Sequence, residues 1–122
     1  MDFRLDTSTG ESIGVAVMPE RLDITNSRQL KSSFQQWMRH SERMVFDCSQ
    51  LGFLDSSGLG AIIHCLRISI VRGVELKLSG LVLRVMMVFE LTRANQLFSI
   101  YPDLTGAMES YLFTETQAAS VR

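Results

Sequence analysis

Residues 53–60 read Phe53-Leu54-Asp55-Ser56-Ser57-Gly58-Leu59-Gly60, and they join an extended apolar segment to an amphipathic helix. Upstream, residues 44–48 have the composition of a buried strand. Downstream, apolar residues recur at helical spacing. Their common face is formed by Leu59, Ile62, Ile63, Leu66 and Ile70. We therefore expect Ser56 and Ser57 at or beside a helix N-cap, where unpaired amide groups and the helix dipole favour a negative group.

The rest of the chain predicts strands that alternate with helices. Strands are expected at residues 3–8, 12–18, 44–47, 74–78 and 98–101, the first two forming a hairpin across Ser8-Thr9-Gly10-Glu11. Helices are expected from about Thr25, from Ser56 to Arg72 with Gly73 as the stop, and over 81–92 and 103–113. The last helix should turn Leu104, Ala107, Met108 and Leu112 inward.

This order predicts one α/β domain over residues 1–113, followed by a frayed polar tail over 114–122. The expected sheet is mostly parallel, with four to five strands, about four helices and an N-terminal hairpin strand. Such sheets carry their working groups at the carboxyl ends of the strands. Asp23 and the Asp55-Ser56 pair are both expected there, so the surface around Ser56 should be acidic.

Bulk properties narrow the classes of protein. A length of 122 residues and a hydrophobic content of 46% suit a single packed domain. A net charge of −1 and an isoelectric point near 6.1 argue against nucleic-acid binding. Cys48 and Cys65 lack metal-ligand spacing and are read as reduced core thiols. No signal peptide or membrane span is predicted, so a cytoplasmic location is expected.

Four ordered stretches resemble the STAS domain family, in particular its small stand-alone anti-sigma factor antagonists. The first is Asp55-Ser56-Ser57-Gly58-Leu59-Gly60, after an apolar strand and an apolar pair. The second is Leu22-Asp23, after the apolar strand 13–17. The others are residues 75–80 and residues 89–101. Two positions depart from the family pattern: Glu20 stands in the turn before Leu22-Asp23, and Arg93 stands where many relatives carry glycine.

The resemblance implies a protein-binding switch that is not an enzyme. Ser56 would be the phosphorylated serine, because the family's acceptor directly follows the aspartate. The partner-binding residues implied are Asp23, Asp55, Ser57, Gly58, Leu59 and Gly60, with Ser57 also capping the helix. The unphosphorylated form would bind a serine kinase of the ATP-binding, histidine-kinase-like class that doubles as an anti-sigma factor. A metal-dependent serine phosphatase would reset the switch, and the chain itself would be a monomer without cofactor.

Three other interpretations were compared with this one. A partner-switching protein of the same family could control an output other than a sigma factor. A receiver-like domain would use Asp47 at the end of a strand, but the acidic pair and the lysine that a receiver also needs are missing. A serine hydrolase would need a Gly-x-Ser-x-Gly elbow and a histidine base, and neither is recognisable around Ser56.

Overall fold

A five-stranded sheet runs through the centre of the computed structural model, which describes the backbone of residues 1–121 and the side chains of residues 1–112. The strands in chain order are β1 (Asp2–Asp6), β2 (Ile13–Val17), β3 (Arg21–Leu22), β4 (Arg43–Asp47), β5 (Phe53–Leu54), β6 (Glu75–Ser79) and β7 (Ile100–Tyr101). The large sheet has the order β1-β2-β4-β6-β7, with β1 antiparallel to β2 and the others parallel. The predicted fold class and its N-terminal hairpin are confirmed.

Four α-helices are present in the described backbone, and they divide between the two faces of the sheet. They are α1 (Ser27–Trp37), α2 (Ser56–Arg72), α3 (Leu83–Leu91) and α4 (Leu104–Val121). The larger core contains residues of α1, α2 and α3 packed on one face, among them Phe34, Ile62 and Phe89. A smaller core on the other face joins Val15 and Val45 to residues of α4.

The ends of α2 agree with the sequence analysis. The helix begins at Ser56 and ends at Arg72, and Gly73 follows it with a φ of 73°, a left-handed conformation that glycine adopts without steric cost. The apolar face is confirmed at Leu59 and Ile62, which are buried. The prediction is wrong at Ile70, whose side chain is 68% exposed.

The last helix differs from the prediction in length and in its inward face. The backbone of helix α4 continues to Val121, beyond the predicted end at Phe113. The side chains of the predicted tail, residues 114–122, lie outside the described part of the chain. Tyr111 is buried and Leu112 is not. The Tyr111 hydroxyl donates to the carbonyl oxygens of Met44 at 2.7 Å and Glu75 at 3.2 Å, which joins the helix to two strands of the sheet.

A separate two-stranded sheet, β3 with β5, was not predicted. Arg21 pairs with Phe53 and Leu22 pairs with Leu54, in parallel. Two-residue strands are too short to show alternation in a sequence, so residues 53–54 were read only as an apolar pair before the turn. This small sheet matters because the site begins at the residue after each of its strands.

Candidate functional site

The β3–β5 pair brings Asp23 and Asp55 to the same edge of the molecule. Leu22 and Leu54 are in register, and the next residue of each strand is an aspartate. Neighbouring strands lie roughly 4.8 Å apart, so the two backbones leave the small sheet side by side. The Asp55 amide also donates to the Leu22 carbonyl at 3.4 Å. The predicted juxtaposition of Asp23 with Asp55-Ser56 is therefore present.

Asp55 is the N-cap of α2. Its backbone is extended, with φ of −100° and ψ of −176°, and its carboxylate accepts a hydrogen bond from the Gly58 amide at 2.8 Å. This bond satisfies one of the amide groups that a helix start leaves unpaired. The capping role predicted for Ser57 is therefore wrong, because Asp55 already occupies it.

Ser56 is the first residue of α2, and its side chain is exposed to solvent. Within the described residues its hydroxyl has no hydrogen-bond partner, although Ser56 follows directly on the capping residue. Ser57 is half-buried at the next position and borders a shallow cavity between α1 and α2. Of the two hydroxyls, the one on Ser56 is the more accessible to another protein.

Gly58 and Leu59 face the interior of the fold. A Cβ atom added at Gly58 would overlap the Leu22 carbonyl oxygen and would lie 2.8 Å from a methyl carbon of Leu54. Leu59 is 7% exposed and belongs to the larger core. Neither residue offers a surface to a partner, because Gly58 packs against the small sheet and Leu59 is buried in the larger core. Gly60 is exposed, and a Cβ atom there would meet nothing within 4 Å.

The Asp23 carboxylate organises the loop before α1. It accepts hydrogen bonds from the Thr25 hydroxyl at 2.5 Å and the Thr25 amide at 3.0 Å, and the Arg21 guanidinium lies 3.6 Å away. The hydrogen bonds from Thr25, helped by the charge of Arg21, hold the pKa of Asp23 below its ordinary value. A fixed, ionised carboxylate at this edge suits contact with a cationic group.

Apolar side chains lie exposed beside these polar groups. Ile24 follows Asp23 and is 74% exposed, and Phe53 precedes the site on β5 and is 39% exposed. The Arg21 guanidinium lies over the Phe53 ring, 4.0 Å from its centroid. Arg84 at the start of α3 borders the same shallow depression as Arg21 and Phe53. Exposed apolar groups with a polar border are typical of a surface that binds another protein.

The surroundings of the site are only partly acidic, which corrects the expectation of an acidic surface. Asp23 and Asp55 lie on one side of it. On the other side, the cavity that Ser57 and Gly60 border is also lined by Arg28, Lys31 and Arg67. These cations were missed because each looks like an ordinary exposed helix position. The available signal was an i, i+3 spacing on each of two neighbouring helices: Arg28 with Lys31 on α1, and His64 with Arg67 on α2.

The same geometry bears on the alternative interpretations. The Asp47 carboxylate accepts a hydrogen bond from the Ser49 amide at 3.0 Å, and no group of three or more metal-ligating side chains occurs within the described residues. Neither histidine hydrogen-bonds to Ser56 in this part of the chain.

Cys48 and Cys65 are free and buried, as predicted, and burial raises the pKa of the Cys65 thiol to about 12. No helix of the described residues is long and apolar enough to cross a bilayer.

Replacement of Asp55 should test its role as the N-cap of α2. We expect Asp55→Ala to lower the free energy of unfolding by about 1 kcal/mol, because the Gly58 amide loses its acceptor. In thermal denaturation this corresponds to a decrease in Tm of roughly 4 °C. Asp55→Asn, which keeps an acceptor oxygen, is the control and should retain most of the stability. Equal losses in both variants would contradict the capping role.

Comparison with known proteins agrees with this geometry. The family model described as the STAS domain matches residues 4–107, so the chain belongs to the STAS domain family. A Thermotoga maritima protein described as a candidate anti-sigma factor antagonist superposes with a TM-score of 0.77 at 21% identity, covering 89% of this chain and 92% of that one. At this identity the likeness establishes the fold.

Two structures of one further protein are informative because they differ in phosphorylation. The anti-sigma factor antagonist SpoIIAA in its unphosphorylated form gives a TM-score of 0.71 at 19% identity, covering 90% of this chain and 96% of that one. The phosphorylated form of SpoIIAA, described as a Bacillus cell fate determinant, gives 0.65 at 18%, with 90% and 99% covered. The same fold therefore accommodates both states in that protein.

Proposed function

We propose that this STAS domain is a phosphorylation-controlled switch that binds a protein partner. The unphosphorylated form binds a serine kinase that doubles as an anti-sigma factor, and this binding releases the sigma factor. The kinase transfers phosphate from ATP to Ser56 and then loses its partner. A metal-dependent serine phosphatase restores the binding form, and all four proteins act in the cytoplasm.

The observation that carries the proposal is the exposure of Ser56 within a preformed surface. Its hydroxyl points to solvent, whereas Asp55 and Gly58 beside it are engaged in holding the helix start. Exposed Ile24 and Phe53 and the fixed Asp23 carboxylate lie on or just after β3 and β5, the two strands that lead to this edge. A kinase can reach this hydroxyl, and a phosphate placed there lies where a partner would dock. The family resemblance of the Asp-Ser-Ser-Gly segment, and the two states of SpoIIAA, point in the same direction.

The docking surface in this proposal differs from the set of residues expected from the sequence. It contains Asp23, Ile24, Phe53, Ser56 and Gly60, with Asp55 and Ser57 at its border. Gly58 and Leu59 are left out because they are buried. They support the surface through the position of α2, so their replacement would act through the fold.

The acceptor can be identified by intact-mass analysis after incubation with ATP and the kinase that co-purifies from the source cell. We expect a single added phosphate in the native protein and in Ser57→Ala, and none in Ser56→Ala, because Ser56 is exposed whereas Ser57 is half-buried. Labelling that survives Ser56→Ala but disappears in Ser57→Ala would show that the wrong hydroxyl has been assigned. Mass spectrometry of the same co-purified material would identify the partner and show whether the output is a sigma factor.

A further inference from the structure

A groove lined by cations lies between α1 and α2, next to the proposed docking surface. It consists of two adjoining cavities of about 510 Å³ and about 430 Å³, which share Arg28, Lys31 and His64. Arg39 borders the first cavity and Arg67 borders the second. We call this the basic groove and define it by these five residues.

The basic groove has no carboxylate of its own within the part of the chain that the structure describes. No aspartate or glutamate lines either cavity, and none of the five residues forms an ion pair there. The whole chain has a net charge of −1, so this is a local concentration of positive charge. An isolated exposed cation needs no partner, but several that converge on one concave surface create a positive potential that attracts an anion.

The length of the basic groove indicates what kind of anion it fits. Arg28 lies in the first turn of α1 and Arg39 lies just beyond its end, so the cations follow the whole 11-residue helix. At 1.5 Å per residue the helix is ~16 Å long. A compact phosphate compound would contact one end only. An extended peptide rises roughly 3.3 Å per residue, so about five residues would follow the groove from end to end.

One end of the basic groove continues into the docking surface. Ser57 and Gly60 border the second cavity, and Ser56 directly precedes Ser57. We propose that the basic groove binds an extended acidic segment of the protein partner, alongside the contacts around Ser56. The assignment of this segment to the partner rests on the proposed function. Binding of an acidic peptide by the groove does not, and it can be measured without the kinase.

The test uses a fluorescein-labelled hexaglutamate peptide and the full chain at low ionic strength, where screening is weakest. Fluorescence anisotropy gives the affinity, and amide chemical shifts locate the peptide. We expect shifts along the groove from Gly60 to Arg39. The double variant Arg28→Gln with Arg67→Gln should bind about two- to thirtyfold more weakly, since each exposed ion pair contributes modestly.

The control is Arg72→Gln with Arg93→Gln, which changes the net charge equally at exposed positions that line neither cavity. It should bind the peptide as the native protein does. An equal loss in the control pair, or no measurable peptide binding, would overturn the proposal. So would tighter binding of tripolyphosphate with shifts confined to one end, which would assign the groove to a small phosphate compound. Tighter binding of a short DNA duplex would also overturn it.

Discussion

Gly58→Ala should lower the free energy of unfolding by roughly 1–3 kcal/mol, although it adds only one methyl group. The new Cβ atom would overlap the Leu22 carbonyl oxygen, which belongs to the backbone and has no rotamer by which to move away. Relief requires α2 to shift away from β3. We expect a decrease in Tm of roughly 4–12 °C in thermal denaturation.

The matched control is Gly60→Ala, two residues further along the same helix. A Cβ atom there meets nothing within 4 Å, and alanine favours a helix over glycine by up to about 1 kcal/mol. This variant should be as stable as the native protein or slightly more so. If both variants lost stability equally, the contact between Gly58 and Leu22 would not be the cause.

A second large effect is expected at Ser56, where acidic replacements should weaken kinase binding at least about tenfold, or ~1.4 kcal/mol. A carboxylate or phosphate at this position must be desolvated when a partner docks, and it occupies space on the docking surface. Phosphate adds about −1.5 to −2 charges, so its effect should exceed that of aspartate. Ser56→Ala should bind as tightly as the unphosphorylated protein.

Calorimetry with the purified kinase measures these affinities, and Ser49→Asp provides a control for added charge. Ser49 is exposed on the loop that follows β4, outside the proposed docking surface. This variant should bind like the native protein. If Ser56→Asp and Ser56→Glu bound as tightly as Ser56→Ala, direct exclusion of the partner at Ser56 would be the wrong mechanism.

The large elements of this fold could be predicted because their patterns are long. The periodicity of α2 and the stop at Gly73 gave both ends of the helix correctly. The exposure of Ile70 could not be predicted from periodicity, because it depends on neighbouring elements. The buried side of α2 runs through Gly58, Ile62, Cys65 and Ser69, and at 100° per residue Ile70 lies to one side of it, toward solvent.

The details of the site depended on contacts that one sequence does not display. Asp55 and the serines after it are all good capping residues, so composition could not decide which of them takes the non-helical backbone. Gly58 was expected among the partner-binding residues, but the backbone that lies closest to it is that of Leu22 in the same chain. At Arg93 the sequence differs from the glycine that many relatives carry, yet the residue adopts a left-handed φ of 61°, the conformation that favours glycine.

The cap formed by Asp55 also bears on how long a phosphate at Ser56 would persist. The Gly58 amide at the helix start is already occupied by the Asp55 carboxylate. A phosphate on Ser56 would therefore not gain that amide, and because the Ser56 side chain is exposed, its oxygens would stay accessible to water. The lifetime of the proposed phosphoserine would then depend on the enzymes that form and hydrolyse it, and not on burial by the fold.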